Sequence, residues 1–117
     1  MMKTILTIDP DYDQVLIDQD GCSYSFYKRG LLEKDICDKD GNPICMKEMY
    51  EWQQEIEPIV IASATGQPYS KDWRSYHERG LKLAHELRKR LSPEIDLWYD
   101  APYEDKSGII NHPMLIL

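Results

Sequence analysis

The chain has 117 residues, three cysteines and a formal net charge of −7. That length suits one domain with its own core, and 42% hydrophobic content with three tryptophans and eight tyrosines excludes a disordered chain. The excess charge is uneven: residues 1–57 hold 13 acidic and 6 basic residues, whereas residues 58–117 hold 8 of each. Such a balance disfavours nucleic acid, whose phosphates it would repel, and favours a basic protein partner.

Lys3 to Ile8 reads as a first strand, rich in β-formers. A loop with Asp9, Pro10, Asp11 and Asp13 follows. Val15 to Tyr27 reads as a hairpin closed by a two-residue Asp20-Gly21 turn of type I′. That loop length pairs Ile17 with Tyr24 and Val15 with Phe26 on one face, and Leu16 with Ser25 and Asp18 with Ser23 on the other. Leu31 to Cys37 is a further strand candidate.

Asp40-Gly41 allows a second hairpin, but Asn42-Pro43 also suits a helix start. With Cys45, Met49, Trp52 and Ile56 at helical spacing, a helix from about Pro43 or Met46 to Glu57 is favoured, ended by Pro58. Ile59 to Ser63 reads as a short buried strand, and residues 64–69 as a loop.

Residues 70–91 carry the strongest periodicity. Trp73, Tyr76, His77, Gly80, Leu83, Ala84, Leu87 and Leu91 recur every three or four positions and form one apolar stripe. Ser70 is the expected N-cap, and Arg88, Lys89 and Arg90 complement the dipole at the C-terminal end. Gly80, on the stripe, should mark the close approach of another element. Glu94 to Asp100 alternates as a strand, residues 101–108 form a polar loop, and residues 109–117 read as a last strand interrupted by Pro113. The whole is an α+β single domain: a mostly antiparallel sheet of about five strands, with the long helix packed on it.

No motif names a reaction. Neither Asp18–Gly21 nor Asp38–Asn42 fits a calcium-loop register. Cys22, Cys37, Cys45, His77, His85 and His112 lack zinc-ligand spacing, so no metal or cofactor is expected. The longest wholly apolar runs have four residues, far below the ~20 that span a bilayer. With no signal segment and an odd cysteine count, a cytoplasmic protein without membrane association is expected.

Two functional readings remain. In the first, the chain is a protein-binding module for a basic partner. In size and charge it is similar to bacterial immunity proteins and antitoxins, without a sequence motif of either. Asp9, Asp11, Asp13, Asp18, Asp20, Asp38 and Asp40 would meet the partner's cations, and Trp98, Tyr103, Glu104 and Asp105 form an aromatic and acidic cluster that is a further interface candidate. In the second, Trp73, Tyr76 and His77 form an enzymatic or small-ligand site on the long helix, with Glu104 near it. A homodimer through a strand edge near the C-terminus is a further option.

Overall fold

The computed structural model describes residues 4–10, 16–25 and 34–117. The chain is α+β, as its element pattern predicts. Among the described residues, six strands make one mixed sheet: β1 (Ile5–Ile8), β2 (Leu16–Asp18), β3 (Ser23–Ser25), β4 (Lys34–Asp35), β5 (Asp96–Tyr99) and β6 (Met114–Leu115). Their order is β4-β3-β2-β1-β5-β6. Three of the five pairings are antiparallel; β1/β5 and β3/β4 are parallel. Three helices lie between β4 and β5: α1 (Lys47–Gln54), α2 (Glu57–Ala64) and α3 (Trp73–Arg90). None of the described helices is long and apolar enough to cross a membrane.

The core follows the two periodicities. Leu6 and Ile8 on β1, and Leu97 and Tyr99 on β5, alternate inward at two-residue steps. On α3 the stripe Trp73, Tyr76, His77, Gly80, Ala84 and Leu87 is buried. The cap is Asp72 rather than Ser70: its side chain accepts from the Ser75 amide at 3.1 Å, and helical angles begin at Trp73. Trp98 is half-buried, paired between Thr7 and Leu115.

The first hairpin differs from its expected register. Gly21 N–H donates to Asp18 O and Asp18 N–H to Cys22 O, so the loop is Gln19-Asp20-Gly21, with Gly21 at φ 85°. Three residues ending in a left-handed glycine make a bulged turn. The extra residue shifts the pairing by one, to Leu16 with Tyr24 and Ile17 with Ser23. Leu16, not Ile17, therefore enters the core. Val15 and Phe26 lie outside the described residues, as do residues 31–33 of the Leu31–Cys37 candidate.

Of the two expected starts for the helix ending at about Glu57, Pro43 and Met46, the later one is used, with Met46 as the N-cap. Residues 36–44 form a second hairpin: Cys37 bridges Pro43, Ile44 N–H donates to Ile36 O at 2.7 Å, and Gly41 turns with φ 84°. Pro43 ends this hairpin instead of starting a helix. Helix α1 begins only at Lys47, burying Met49, Trp52 and Gln53. Ile59 to Ser63 is helical, not a strand. Pro58 lacks the N–H that would extend α1, and it sits in the first turn of α2, where no such donor is needed. A short apolar run carries no period of its own to distinguish the two states. The last expected strand shrinks to Met114–Leu115, after Pro113.

The close approach at Gly80 is real. A Cβ there would collide with Trp52 Cζ2, would stand 2.5 Å from Tyr99 Oη, and would lie 2.9 Å from Trp52 Cε2. Trp52 is held in place by a 2.9 Å bond from its Nε1 to Tyr76 O and by stacking on the Tyr76 ring at 4.5 Å. The groups that would have to yield are therefore a fixed indole and a buried phenol. Gly80→Ala should destabilise the fold by about 1–3 kcal/mol through overpacking, despite the ~1 kcal/mol that alanine gains in helix propensity. Urea unfolding with an unchanged m-value checks this; a more stable Gly80→Ala protein would show that the notch is not filled.

Candidate functional site

The acidic candidates of the first half divide into two kinds. Asp18 Oδ1 accepts from the amides of Asp20 and Cys22 at 2.9 Å each, and Oδ2 from the Tyr24 hydroxyl at 2.9 Å. Asp38 repeats the arrangement, with Oδ1 accepting from Asp40 N at 2.8 Å and Asn42 N at 3.0 Å. Both are engaged in shaping their own turns, as short polar side chains do. Burial, reinforced by the Asp18 carboxylate, pushes the Tyr24 phenol up to about 12, so it remains a donor. Asp20 and Asp40 stand exposed at the turn tips, and Asp9 is half-buried at the end of β1. Because β4 runs parallel to β3, the two turns leave opposite ends of β3. Asp18 and Asp20 thus lie at the other end of the β3/β4 pair from Asp38 and Asp40. Asp11 and Asp13 lie outside the described residues.

The second candidate group comes together, but in the interior. His77 on α3 is 2% exposed and has a partner at each ring nitrogen. Nε2 lies 2.6 Å from Asp105 Oδ2, and Nδ1 lies 2.8 Å from Tyr99 Oη. Trp73 stacks on its ring at 6.0 Å, and Tyr76 meets it edge-on at 5.8 Å. With Asp105 ionised, a neutral ring carries its hydrogen on Nε2 and accepts the Tyr99 hydroxyl hydrogen on Nδ1. This is the connectivity of a proton relay with a phenol at its end. The phenol is unsuited to relay work, because Tyr99 is fully buried, and burial, with Asp105 nearby, raises it well above its ordinary value. The chain Tyr99–His77–Asp105 joins β5, α3 and the 101–108 loop as an interior strut.

That loop turns its acidic residues inward. Glu104 is 5% exposed, and its carbonyl accepts from the Tyr69 hydroxyl at 2.9 Å. Asp105 also accepts from the Ser107 amide at 2.8 Å. Burial raises the Asp105 carboxyl, but its bonds from Ser107 and His77 outweigh that and hold it below the usual aspartate value. Tyr103 alone of the expected cluster is widely exposed, at 75%, with the Lys106 ammonium 3.8 Å from its ring centroid.

The packing of α1 against α3 creates a further feature. Between them runs a groove of about 370 Å³, with Trp52 and Leu83 at its base and Glu48, Glu51, Glu55 and Glu86 along it, beside Arg79 and Lys82. Glu55 binds Arg79 through two bonds of 2.6 and 2.8 Å and approaches Lys71 at 3.5 Å. The bonds from Arg79 outweigh burial and hold the Glu55 carboxyl below its ordinary value. Glu48, Glu51 and Glu55 are spaced three and four apart, so one exposed edge of α1 was legible as acidic. Its meeting with α3 was not. Among the described residues, no group of three or more histidines, cysteines or carboxylates is arranged to hold a metal ion.

Comparison with protein-family models, with curated proteins and with solved structures finds no match to this chain.

The strut gives a signed pH dependence. Since folding depresses the Asp105 value, its contribution is complete above the ordinary aspartate value of about 3.9 and is lost as pH falls through the folded value. Asp105→Asn should cost about 1–3 kcal/mol at neutral pH and progressively less in acid. Urea midpoints of both proteins between neutral pH and the acid limit check it; a cost that stays constant with pH would contradict it.

Proposed function

We propose that this protein is a binding module for a basic protein partner, an inhibitor of the immunity-protein or antitoxin kind. One observation supports the reading most. Residues 36–57 carry six carboxylates (Asp38, Asp40, Glu48, Glu51, Glu55, Glu57) against two lysines (Lys39, Lys47), and all but Asp38 are exposed. A balance of −4 out of the net −7 therefore lies on a hairpin and the two helices that follow, mostly at exposed positions. A surface of this sign speeds association with cationic proteins and suppresses encounters with anionic ones.

The alternative, chemistry at His77, has less behind it. Both ring nitrogens are engaged within the core, and the neighbouring phenol is held protonated. Tryptophan, tyrosine and histidine here act as packing and wiring.

The test is affinity capture from native extract at low and raised salt, with captured proteins identified by mass spectrometry. The expected result is a basic protein whose retention falls with salt and falls again in an Asp40→Asn/Glu48→Gln/Glu51→Gln variant. Retention indifferent to both changes, or an acidic captured protein, would refute the reading.

A further inference from the structure

The two edges of the sheet are built differently. At one edge β4 is Lys34-Asp35, charged at both positions, and charge is a common guard of a strand edge. At the other, β6 is Met114-Leu115, followed by Ile116 and Leu117, with no charge to repel another strand. Leu115 is 44% exposed and Leu117 89%.

The register shows which way the backbone of β6 points. Ile116 N–H donates to Leu97 O at 2.8 Å, so these two residues form a hydrogen-bonded pair. Bonded and non-bonded pairs alternate in an antiparallel ladder, so Leu115, opposite Trp98, directs its N–H and C=O away from β5. Among the described residues nothing bonds to them. The edge also lies beyond the reach of residues 1–3, 11–15 and 26–33. A strand outside β6 would stand three spacings from β1, about 14 Å, whereas three residues span at most about 11 Å. Residues 11–15 join the neighbours β1 and β2, and an out-and-back path of that length covers less still. Residues 26–33 join β3 to β4, five spacings or about 24 Å away, and out and back they cover about 16 Å.

The charges near the edge select its occupant. From Lys106 to Leu117 there is no carboxylate, and Lys106 and His112 are the ionisable residues. The Lys106 ammonium lies over the Tyr103 ring. On β5, Asp96 and Asp100 lie one strand further in, with Glu94 before them. A cationic partner thus finds no carboxylate on β6 itself. In a two-fold pair the copies of β5 stand three spacings apart, so their aspartates are separated by at least about 14 Å, beyond the ~8 Å screening length of physiological salt. The antiparallel sense puts the two His112 at opposite ends of the contact. A second copy therefore meets no like charge at close range.

We propose that β6 pairs antiparallel with β6 of a second copy, about a two-fold axis at Leu115, so that two sheets become one. Each Leu115 N–H donates to the other copy's Leu115 O, and each Leu117 N–H to the other copy's Pro113 O. Pro113, which has no N–H, is required only to accept. On the face that carries Trp98, each Leu115 covers its twin. Strand β4, from which the second hairpin continues, stays at the far edge, so the acidic surface proposed above lies outside the contact. The dimer does not depend on that reading.

A contact confined to one strand edge is small, and such pairs are reversible. The test is sedimentation velocity of the full chain at rising concentration, with hydrogen exchange of single amides followed by NMR. The expected result is a monomer–dimer equilibrium. Protection of the Leu115 and Leu117 amides should grow with concentration, while that of Ile116, bonded within its own chain, stays constant. Leu115→Lys and Leu115→Pro should each raise the dissociation constant at least about tenfold, with circular dichroism confirming the fold. The proline removes no bond to β5, because the Leu115 amide points outward; should that variant not fold, Leu115→Lys and the exchange pattern decide. Raised salt should leave the dimer intact. A monomer at every concentration, a dimer that both variants leave unchanged, or Leu115 exchange indifferent to concentration overturns the proposal. A dimer that salt dissolves assigns the association to the charged surfaces and overturns it likewise.

Discussion

The absence of one side chain governs how this protein is assembled. At Gly80 the backbone of α3 is bare, and Trp52 from α1 and Tyr99 from β5 fill the space that a Cβ would take. The indole is fixed there by its bond to Tyr76 O and by its stack on Tyr76. Once Tyr99 reaches that depth, its hydroxyl meets His77 Nδ1, and the other ring nitrogen meets Asp105. A helix, a strand and a loop are thus joined through one contact region. A buried polar chain of this kind is tolerated only when its donors and acceptors are paired. The approach at Gly80 brings the phenol within reach of the histidine.

This arrangement also bears on function. Aromatic residues, a histidine and carboxylates gathered in one place have the composition of a catalytic site. Here Tyr99, His77 and Asp105 are closed to solvent and matched to one another, so their polar groups serve cohesion. The surface has the opposite character. Exposed carboxylates stand on the second hairpin and α1, and Ile61 of α2 is 57% exposed.

How far the sequence alone revealed this depends on the range of the determining contacts. The stripe of α3 was legible because its period repeats over 18 residues, and Gly80 was legible as an exception within that stripe. The inward parity of Leu97 and Tyr99 followed from alternation. The register of the first hairpin was not legible: Asp20-Gly21 suits both a two-residue turn and a bulged three-residue one, and that single residue decides whether Leu16 or Ile17 is buried. The unused start at Pro43 and the helix over residues 59–63 have a related reason. Asn42-Pro43 and Pro58 are proper helix-start signals, but only the second is used, because Cys37 pairs across the turn with Pro43. For the candidate sites, exposure was the missing knowledge. Asp105 and Glu104 look like surface acids in sequence, and only the fold buries them, Asp105 against His77 and Glu104 with its backbone carbonyl accepting from the Tyr69 hydroxyl. The groove between α1 and α3 depends on residues some 30 positions apart, and no local pattern encodes it.

His77 is the enclosed link between Tyr99 and Asp105 on which the interior strut depends. Nitrogen-15 NMR of the histidine rings tests this directly, through the tautomer and the solvent exchange of the ring proton. The expected result for His77 is a hydrogen on Nε2 that is shielded from exchange and loses its protection in Asp105→Asn. A ring that exchanges freely with water, or that carries its hydrogen on Nδ1 alone, would contradict it.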